Sequence, residues 1–425
     1  MANELIVTFT HTNYCLHSAG TEKFAREYSE LLQGEGYTNL AFFAIEPRLG
    51  NTPKYTGVIL DDFFMGIYNY ARIGDIILYV ADKRKLKINS FCIQHLKNHD
   101  VDMINRLIRK LGIKVNIFIH DFFSLCINHR MIDSNGETCG HTPPDDKKCA
   151  DCKFRKEGKK HYELMSVFFK SIYDDIHRIM VPSEFVFEIM KKNYPFLEDR
   201  LYVRPHLKFK GSRELNPVKH KKLHIAYIGA QIKDKGFSEW EKLSSCVRNC
   251  QLFYFGFGDI KTEGVQNIYV SGTSNGKRME DFLREKEIDC ALLWSHCGET
   301  YSYVYYEMAT AGVFVMTNTT GGNITQEVKN KKNGKIFDSI EDCIDWINSG
   351  ETAVCEINEY RANPLFAPLA YMVNDELCLP DDGIEIQYND NVKIKKKKII
   401  SSLYTLKHRL SDKGEIKLKI GSADI

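Results

Sequence analysis

The sequence has no apolar run approaching the roughly 20 residues that a membrane-crossing helix needs, which argues against an integral membrane protein. It also has almost no net charge. Its 58 Lys and Arg against 56 Asp and Glu leave +2, so it lacks the bulk positive field that holds nucleic acid. The opening residues, MANELIVTFTH, lack the basic-then-apolar order of a secretory signal and read as a first strand. Thirteen cysteines without an export signal point to a reducing cytosol, where thiols or metal ligands are expected rather than disulfides. What is present is a globular composition, 43% hydrophobic and 27% charged. The 425 residues suit two domains of about 200 residues each.

The most informative stretch is CALLWSHCGETYSYVYYEMATAGVFVMTN. Cys290 to Ser295 is a short apolar run and reads as a buried strand. A polar loop with Gly298 and Glu299 follows. A helix is predicted to start near Ser302, because Thr300 and Ser302 are good N-cap residues, and to end near Gly312. Val313 to Met316 is a second strand. Strand, loop, helix and strand make half of a doubly wound sheet, whose ligands bind at the carboxyl edge. Glu299 lies in the loop at that edge, and Glu307 lies eight residues on, inside the helix, where it can face the same crevice. The amides of Tyr301, Ser302 and Tyr303 form a helix N-terminus suited to an anion such as a diphosphate. Two carboxylates flanking an anion site match a nucleotide-sugar, one taking hydroxyls of the sugar and the other those of the ribose. Two surface glutamates are the ordinary reading of such spacing; the flanking strand, loop and glycines favour the site.

In chain order, Leu5 to Thr10 reads as strand, His11 to Gly20 as loop and Thr21 to Leu32 as helix, with Thr21 as its N-cap. Leu40 to Ile45 is the next strand. Val115 to Ile119 is a strand ending in His120 and Asp121, and a His at the carboxyl end of a parallel strand is well placed for a ligand. Cys126, Cys139, Cys149 and Cys152 then fall within 27 residues, in a segment rich in Gly, Pro, Asp and Lys that has little core of its own. Four thiolates there would hold one structural Zn²⁺, with His129 or His141 as substitute ligands; unlinked thiols or one oxidised pair are the alternative. Ser183 is expected to cap a helix from Glu184 to Lys192. Residues 1–207 are expected to form the first domain and 208–222, polar and basic with Gly211 and Pro217, the linker. Residues 223–350 form the second domain, and 351–425 an extension. Within it, Lys393 to Lys398 adjoin Ile399, Ile400 and Leu403, a run that docks on anionic lipid or forms a solvated helix face.

GETYSYVYYEMATAG resembles the E-x7-E motif of retaining GT-B glycosyltransferases of the GT4 type. Glu299, Tyr301, Glu307, Ala309 and Gly312 fill its places. HSAGTEK resembles the glycine loop of that family, with Ala19 in place of the first glycine and Gly20 retained. His120-Asp121 resembles its His-Asp, and Val181-Pro182-Ser183 its V-P-S turn. GAQIKDKG resembles its G-R-x-x-x-x-K-G loop: Gly229, Lys235 and Gly236 match, while Ala230 and Gln231 stand where the arginine is usual. The resemblance implies an α/β protein of the GT-B class, two Rossmann-like doubly wound domains facing a cleft, with a C-terminal helix, Ile399 to Leu410, returning to the first. It implies transfer of a sugar from a nucleotide-sugar, UDP- or GDP-linked, with retention and without a catalytic metal. The acceptor would be a glycan or lipid-linked glycan in bacterial cell-surface polysaccharide synthesis, in the cytoplasm or at the inner face of the membrane. His120, Glu299 and Lys235 would be catalytic. Ala19, Gly20, Gly229, Gly272, Thr300, Tyr301, Ser302, Tyr303 and Glu307 would hold the donor. An inactive GT-B-like binding or regulatory protein is the alternative, for which Ala19 and the missing arginine speak. A third reading is an interaction module built on the cysteine segment.

Overall fold

In the computed structural model, the residues described are 3–17, 19–45, 53–145, 147–219, 221–256, 258, 262–270, 277–363, 367–386, 394–411 and 419–421. The strands of the amino-terminal half are β1 (Glu4–Thr10), β2 (Thr38–Ala44), β3 (Tyr55–Leu60), β4 (Phe63–Asn69), β5 (Lys87–Ile93), β6 (Lys114–Phe118), β7 (Ile176–Val181) and β8 (Leu201–Val203). They form one sheet in the order β4-β3-β2-β1-β5-β6-β7-β8. It is parallel from β2 to β8, with β3 and β4 added antiparallel at one edge. Parallel strands are covered on both faces, which is why β1 (ELIVTFT) is apolar almost throughout and buried from Leu5 onward. The connecting helices are α1 (Gly20–Gly34), α2 (Ile73–Arg84), α3 (Val101–Leu111), α4 (Arg155–Ser171) and α5 (Glu184–Asn193). Their ends follow side-chain chemistry. Asp100 accepts from Met103 N to open α3, and Gly112 closes it at φ 61°. Ser183 caps α5.

After β9 (Leu207–Ser212), a second sheet of β10 (Leu223–Ile228), β11 (Cys250–Gly256), β12 (Val265–Tyr269), β13 (Cys290–Leu292), β14 (Phe314–Asn318) and β15 (Gly334–Phe337) is wholly parallel. Its order is β12-β11-β10-β13-β14-β15. Helices α6 (Phe237–Cys246), α7 (Met279–Glu285), α8 (Tyr303–Ala311), α9 (Asn323–Lys331), α10 (Ile340–Asn348) and α11 (Glu351–Arg361) accompany it. Each sheet reverses direction at one strand, β1 between β2 and β5 and β10 between β11 and β13, and so has the switch point at which such folds bind ligands.

The stretch expected to be a linker, residues 208–222, opens in regular structure. Its beginning is β9, which pairs antiparallel with β16 (Pro368–Val373), Tyr371 opposite Phe209. The chain then returns to the first sheet. Tyr28 Oη donates to Leu377 O at 2.7 Å, Asn116 Nδ2 to Cys378 O at 3.0 Å, and Ile384 bridges to Ile88. Helix α12 (Lys398–Ser411) lies on β4. There Ile67 N donates to Ser401 Oγ at 2.9 Å, and the Tyr404 ring sits 5.1 Å from Phe64. Among the described residues no helix is long and apolar enough to cross a membrane.

Candidate active site

The carboxyl ends of the two sheets open on one cavity of about 1220 Å³, lined by Gly20, Lys23, His120, Lys235, Glu299 and Glu307 among others. Glu299 is the most tightly built of these. Its amide donates to Gly321 O at 3.2 Å, and its carbonyl accepts from Asn323 N at 2.8 Å. Gly322 makes this approach possible: it has φ 67°, and a Cβ there would lie 2.6 Å from Glu299 N. The side chain of Glu299 is 13% exposed, accepts from Ser295 Oγ at 3.1 Å and is ion-paired with Lys235. Lys235 ends a short turn at residues 233–235, and Gly236 follows at φ 78° because a Cβ there would strike Trp294 O at 2.2 Å. Burial disfavours the Lys235 charge, but the Glu299 carboxylate outweighs it and holds the ammonium above its ordinary range.

Thr300 to Tyr303 tie the two halves together. Thr300 Oγ1 donates to His120 O at 2.6 Å, and Ser183 Oγ to Thr300 O at 2.9 Å. Tyr301 Oη accepts from Leu207 N at 2.9 Å. Ser302 caps α8 by accepting from Tyr305 N at 3.2 Å. Tyr303 Oη donates to Glu27 Oε2 at 3.2 Å, and Lys23 Nζ stands 4.1 Å over its ring. His120 follows β6, and its Nε2 is 2.8 Å from Gln94 Oε1. Burial, then the neighbouring His95, lowers its pKa to about 3, so the ring is neutral and holds no proton to donate as an imidazolium.

Glu307 is one turn into α8. Burial raises its pKa to about 7 against the pull of Lys23, and nearby Glu280 adds to the rise. Glu280 is itself buried and is bound by Arg278 Nε at 2.8 Å and by Tyr371 Oη at 3.3 Å.

Ala19 and Gly20 open α1 at the cavity. The helix starts earlier than the expected Thr21 cap: Ala19 occupies the N-cap position and its methyl group caps nothing. The N-cap residue of α1 therefore takes none of the first amides at the cleft. Open space surrounds Gly20. Gly229 ends β10 at φ 137°, but it does not line the cavity. Gly272 lies outside the described residues. Gln231, near the place of the missing arginine, is exposed and donates to Tyr254 Oη at 3.3 Å.

The four cysteines expected to hold zinc all lie among the described residues. Among the described residues no three His, Cys, Asp or Glu side chains gather to hold a metal ion, and Cys126, Cys139, Cys149 and Cys152 are free thiols. Burial, and after it the neighbouring cysteines of the segment, push the Cys126 thiol up, and burial pushes Cys139 up to about 11. The segment is held by backbone bonds, such as Cys139 N to Met131 O at 2.6 Å, and by side-chain bonds to the loops carrying Asp234 and Cys297.

Residues that the sequence did not single out also reach the cavity, among them Arg130, His206, Arg278 and Glu27. The His206 ring lies 5.4 Å from that of His120 and 4.4 Å from that of Tyr301, tilted to both. No local pattern marks these residues, because each is carried in by a different element. The one legible trace is Lys23 and Glu27, four apart on the first turns of α1.

No protein-family profile and no curated protein matches the chain. Solved structures do. A sucrose-phosphate synthase from Thermosynechococcus elongatus is similar with a TM-score of 0.55 and 10% identity, over 86% of this chain and 95% of that one. A glycosyltransferase from Rickettsia africae is similar with a TM-score of 0.52 and 14% identity, over 86% and 94%. Anabaena HepE, solved in complex with UDP-glucose, gives 0.50 and 10%, over 85% and 93%. At these identities the likeness is one of fold: the chain has the GT-B architecture.

Proposed function

We propose that the protein is a retaining, metal-independent glycosyltransferase of the GT4 type, transferring a sugar from a nucleoside diphosphate donor to an acceptor hydroxyl. The observation that carries this reading is the Lys235–Glu299 pair, set between the N-termini of α1 and α8 in a cleft bounded by two sheet edges. The donor diphosphate lies against Lys235 and the N-termini of these helices, where fixed positive groups stabilise charge developing on the leaving group. Glu299 takes sugar hydroxyls and Glu307 the ribose. The bond from the anomeric carbon to the diphosphate oxygen breaks, and a bond to the acceptor oxygen forms on the same face. The acceptor proton passes to the departing diphosphate. Neutral His120 lies beside the sugar and contributes a dipole rather than a charge. That UDP-glucose is bound by HepE supports a UDP-sugar.

The acceptor side is read from α12. Ile399, Leu403 and Leu406 are 78%, 60% and 52% exposed and recur at helical spacing, next to Lys395, Lys396, Lys397 and Lys398. Lys393 lies outside the described residues. An apolar stripe flanked by lysines fits an anionic membrane surface, and hence a lipid-linked glycan acceptor at the cytoplasmic face. Cosedimentation with anionic vesicles, lost with zwitterionic vesicles or on Leu403→Ser, tests this part; no sedimentation with either vesicle sinks it.

The transfer reading is tested by incubating UDP- and GDP-sugars with the protein and following nucleoside diphosphate release. Release that disappears in Lys235→Ala is expected. Unchanged release in that variant contradicts the assignment.

A further inference from the structure

We infer that Arg130, carried by the cysteine-rich segment of the amino-terminal half, is a phosphate-binding residue of the donor site, standing across the cleft beside Lys235. The inference rests on the transferase reading above. Arg130 lines the same cavity as Lys235 and Glu299. Its Nη1 donates to Asp234 Oδ2 at 2.6 Å, so the guanidinium is held at the residue next to Lys235 in sequence. Its charge is felt there, where it opposes protonation of Lys235.

The position is built. Met131, the next residue, is buried and adopts φ 49°, and its carbonyl accepts from Cys139 N. The segment is then fastened to the second sheet at two further points. Lys233 Nζ donates to Asn135 O at 3.3 Å, and His141 Nε2 donates to Cys297 O at 3.2 Å. From the other side Asn193 Nδ2 holds His141 O at 3.0 Å. The cysteine-rich segment thus spans from α5 to both loops that carry Lys235 and Glu299, with Arg130 between them.

Charge explains why a second cation belongs here. A departing nucleoside diphosphate carries more than one negative charge, and the single ammonium of Lys235 is already matched by Glu299. Arg130 makes one hydrogen bond among the described residues and keeps 52% of its side chain exposed. A guanidinium presents five donors in a planar fork that fits phosphate in bidentate fashion. Its pair with Asp234 is partly exposed and weakly held in water, so phosphate can compete for it. Asp234 keeps the fork in place while the site is empty.

The experiment is calorimetric titration of the full chain with UDP, GDP and ADP, each beside its monophosphate. Arg130→Ala is expected to weaken the diphosphate by on the order of tenfold or more and to leave the monophosphate within about twofold. Arg130→Lys falls between. Asp234→Asn breaks the same ion pair but keeps the cation, so it is expected to retain or tighten diphosphate binding. Equal losses in Arg130→Ala and Asp234→Asn make the pair a latch between the two halves and overturn the inference. So does unchanged diphosphate affinity in Arg130→Ala. If the wild-type chain binds no nucleoside diphosphate, the transferase reading fails and takes this inference with it; binding without an Arg130 effect overturns the inference alone.

Discussion

The two glutamates eight residues apart share one cavity but live in opposite environments. Glu299 sits in a loop whose backbone is pinned to Gly321 and Asn323, and its carboxylate has a cation, Lys235, and a hydroxyl, Ser295, as partners. Glu307 projects from α8 with no ion-pair partner among the described residues, beside buried Glu280, and burial raises it to about 7. One carboxylate is a fixed part of the site, paired with a lysine. The other exchanges its proton near neutrality and becomes a good acceptor only when it loses it. The lesson is that equal residue types at motif spacing do unequal work, and that the partner, not the position, decides which.

The largest expected effect comes from breaking the fixed pair. Lys235→Ala removes the cation nearest the diphosphate and strands the Glu299 carboxylate; donor turnover should fall by on the order of 100-fold or more. Glu299→Ala should fall by a similar factor, and the double variant by little more than either alone, since the two act as one unit. Steady-state kinetics on the three variants checks this; additive losses would mean independent roles. Next in size is Gly322→Ala. Its added Cβ lies 2.6 Å from Glu299 N at a positive φ, so about 1–3 kcal/mol of strain should appear as a lower midpoint in thermal unfolding, together with lost turnover.

Glu307 sharpens the other half of the comparison. Its folded pKa, about 7, stands above the ordinary 4.5. Between those values the folded chain keeps a proton that the unfolded chain has released, so the group's contribution to stability falls as pH rises from about 4.5 through about 7. Glu307→Gln should therefore be neutral near pH 4.5 and raise the unfolding midpoint at pH 8. The same variant should weaken nucleoside diphosphate binding by about tenfold at pH 8 and less at pH 6, where the wild-type carboxyl is mostly protonated. A pH-independent loss would remove the proton from the account. The smallest effect is expected at Thr300. Thr300→Val deletes the bond to His120 O, at 2.6 Å, for about 1 kcal/mol, seen as a modest drop in unfolding midpoint.

The sheets were legible because strands buried on both faces leave apolar runs, as in Leu5 to Thr10 and Val115 to Ile119, and because a glycine such as Gly312 marks a helix end. The loop carrying Glu299 and the strand end carrying His120 were legible for the same local reason. Features set by remote partners were not. Lys208 to Ser212 looks like a linker because its pairing strand lies about 160 residues later. Arg130 and His206 give no local sign of the cavity they enter. Cysteine spacing suggested zinc; the described residues hold no ready cluster of three ligands, and spacing alone does not set how closely thiols approach. At α1, Thr21 looked like the cap, yet the helix begins at Gly20 behind an alanine that caps nothing. The N-cap side chain makes no hydrogen bond there, whereas at α8 Ser302 uses its hydroxyl on Tyr305 N.

The most direct test of the donor site is thermal stabilisation by UDP, GDP, dTDP, ADP and CMP, run on the wild-type chain and on Glu307→Ala. A ligand that binds only the folded chain raises the midpoint in proportion to its affinity. Stabilisation by one nucleoside diphosphate above the rest, reduced in Glu307→Ala, is the predicted result and names the base. No stabilisation by any of them would contradict the transferase account and leave a GT-B fold without a donor site.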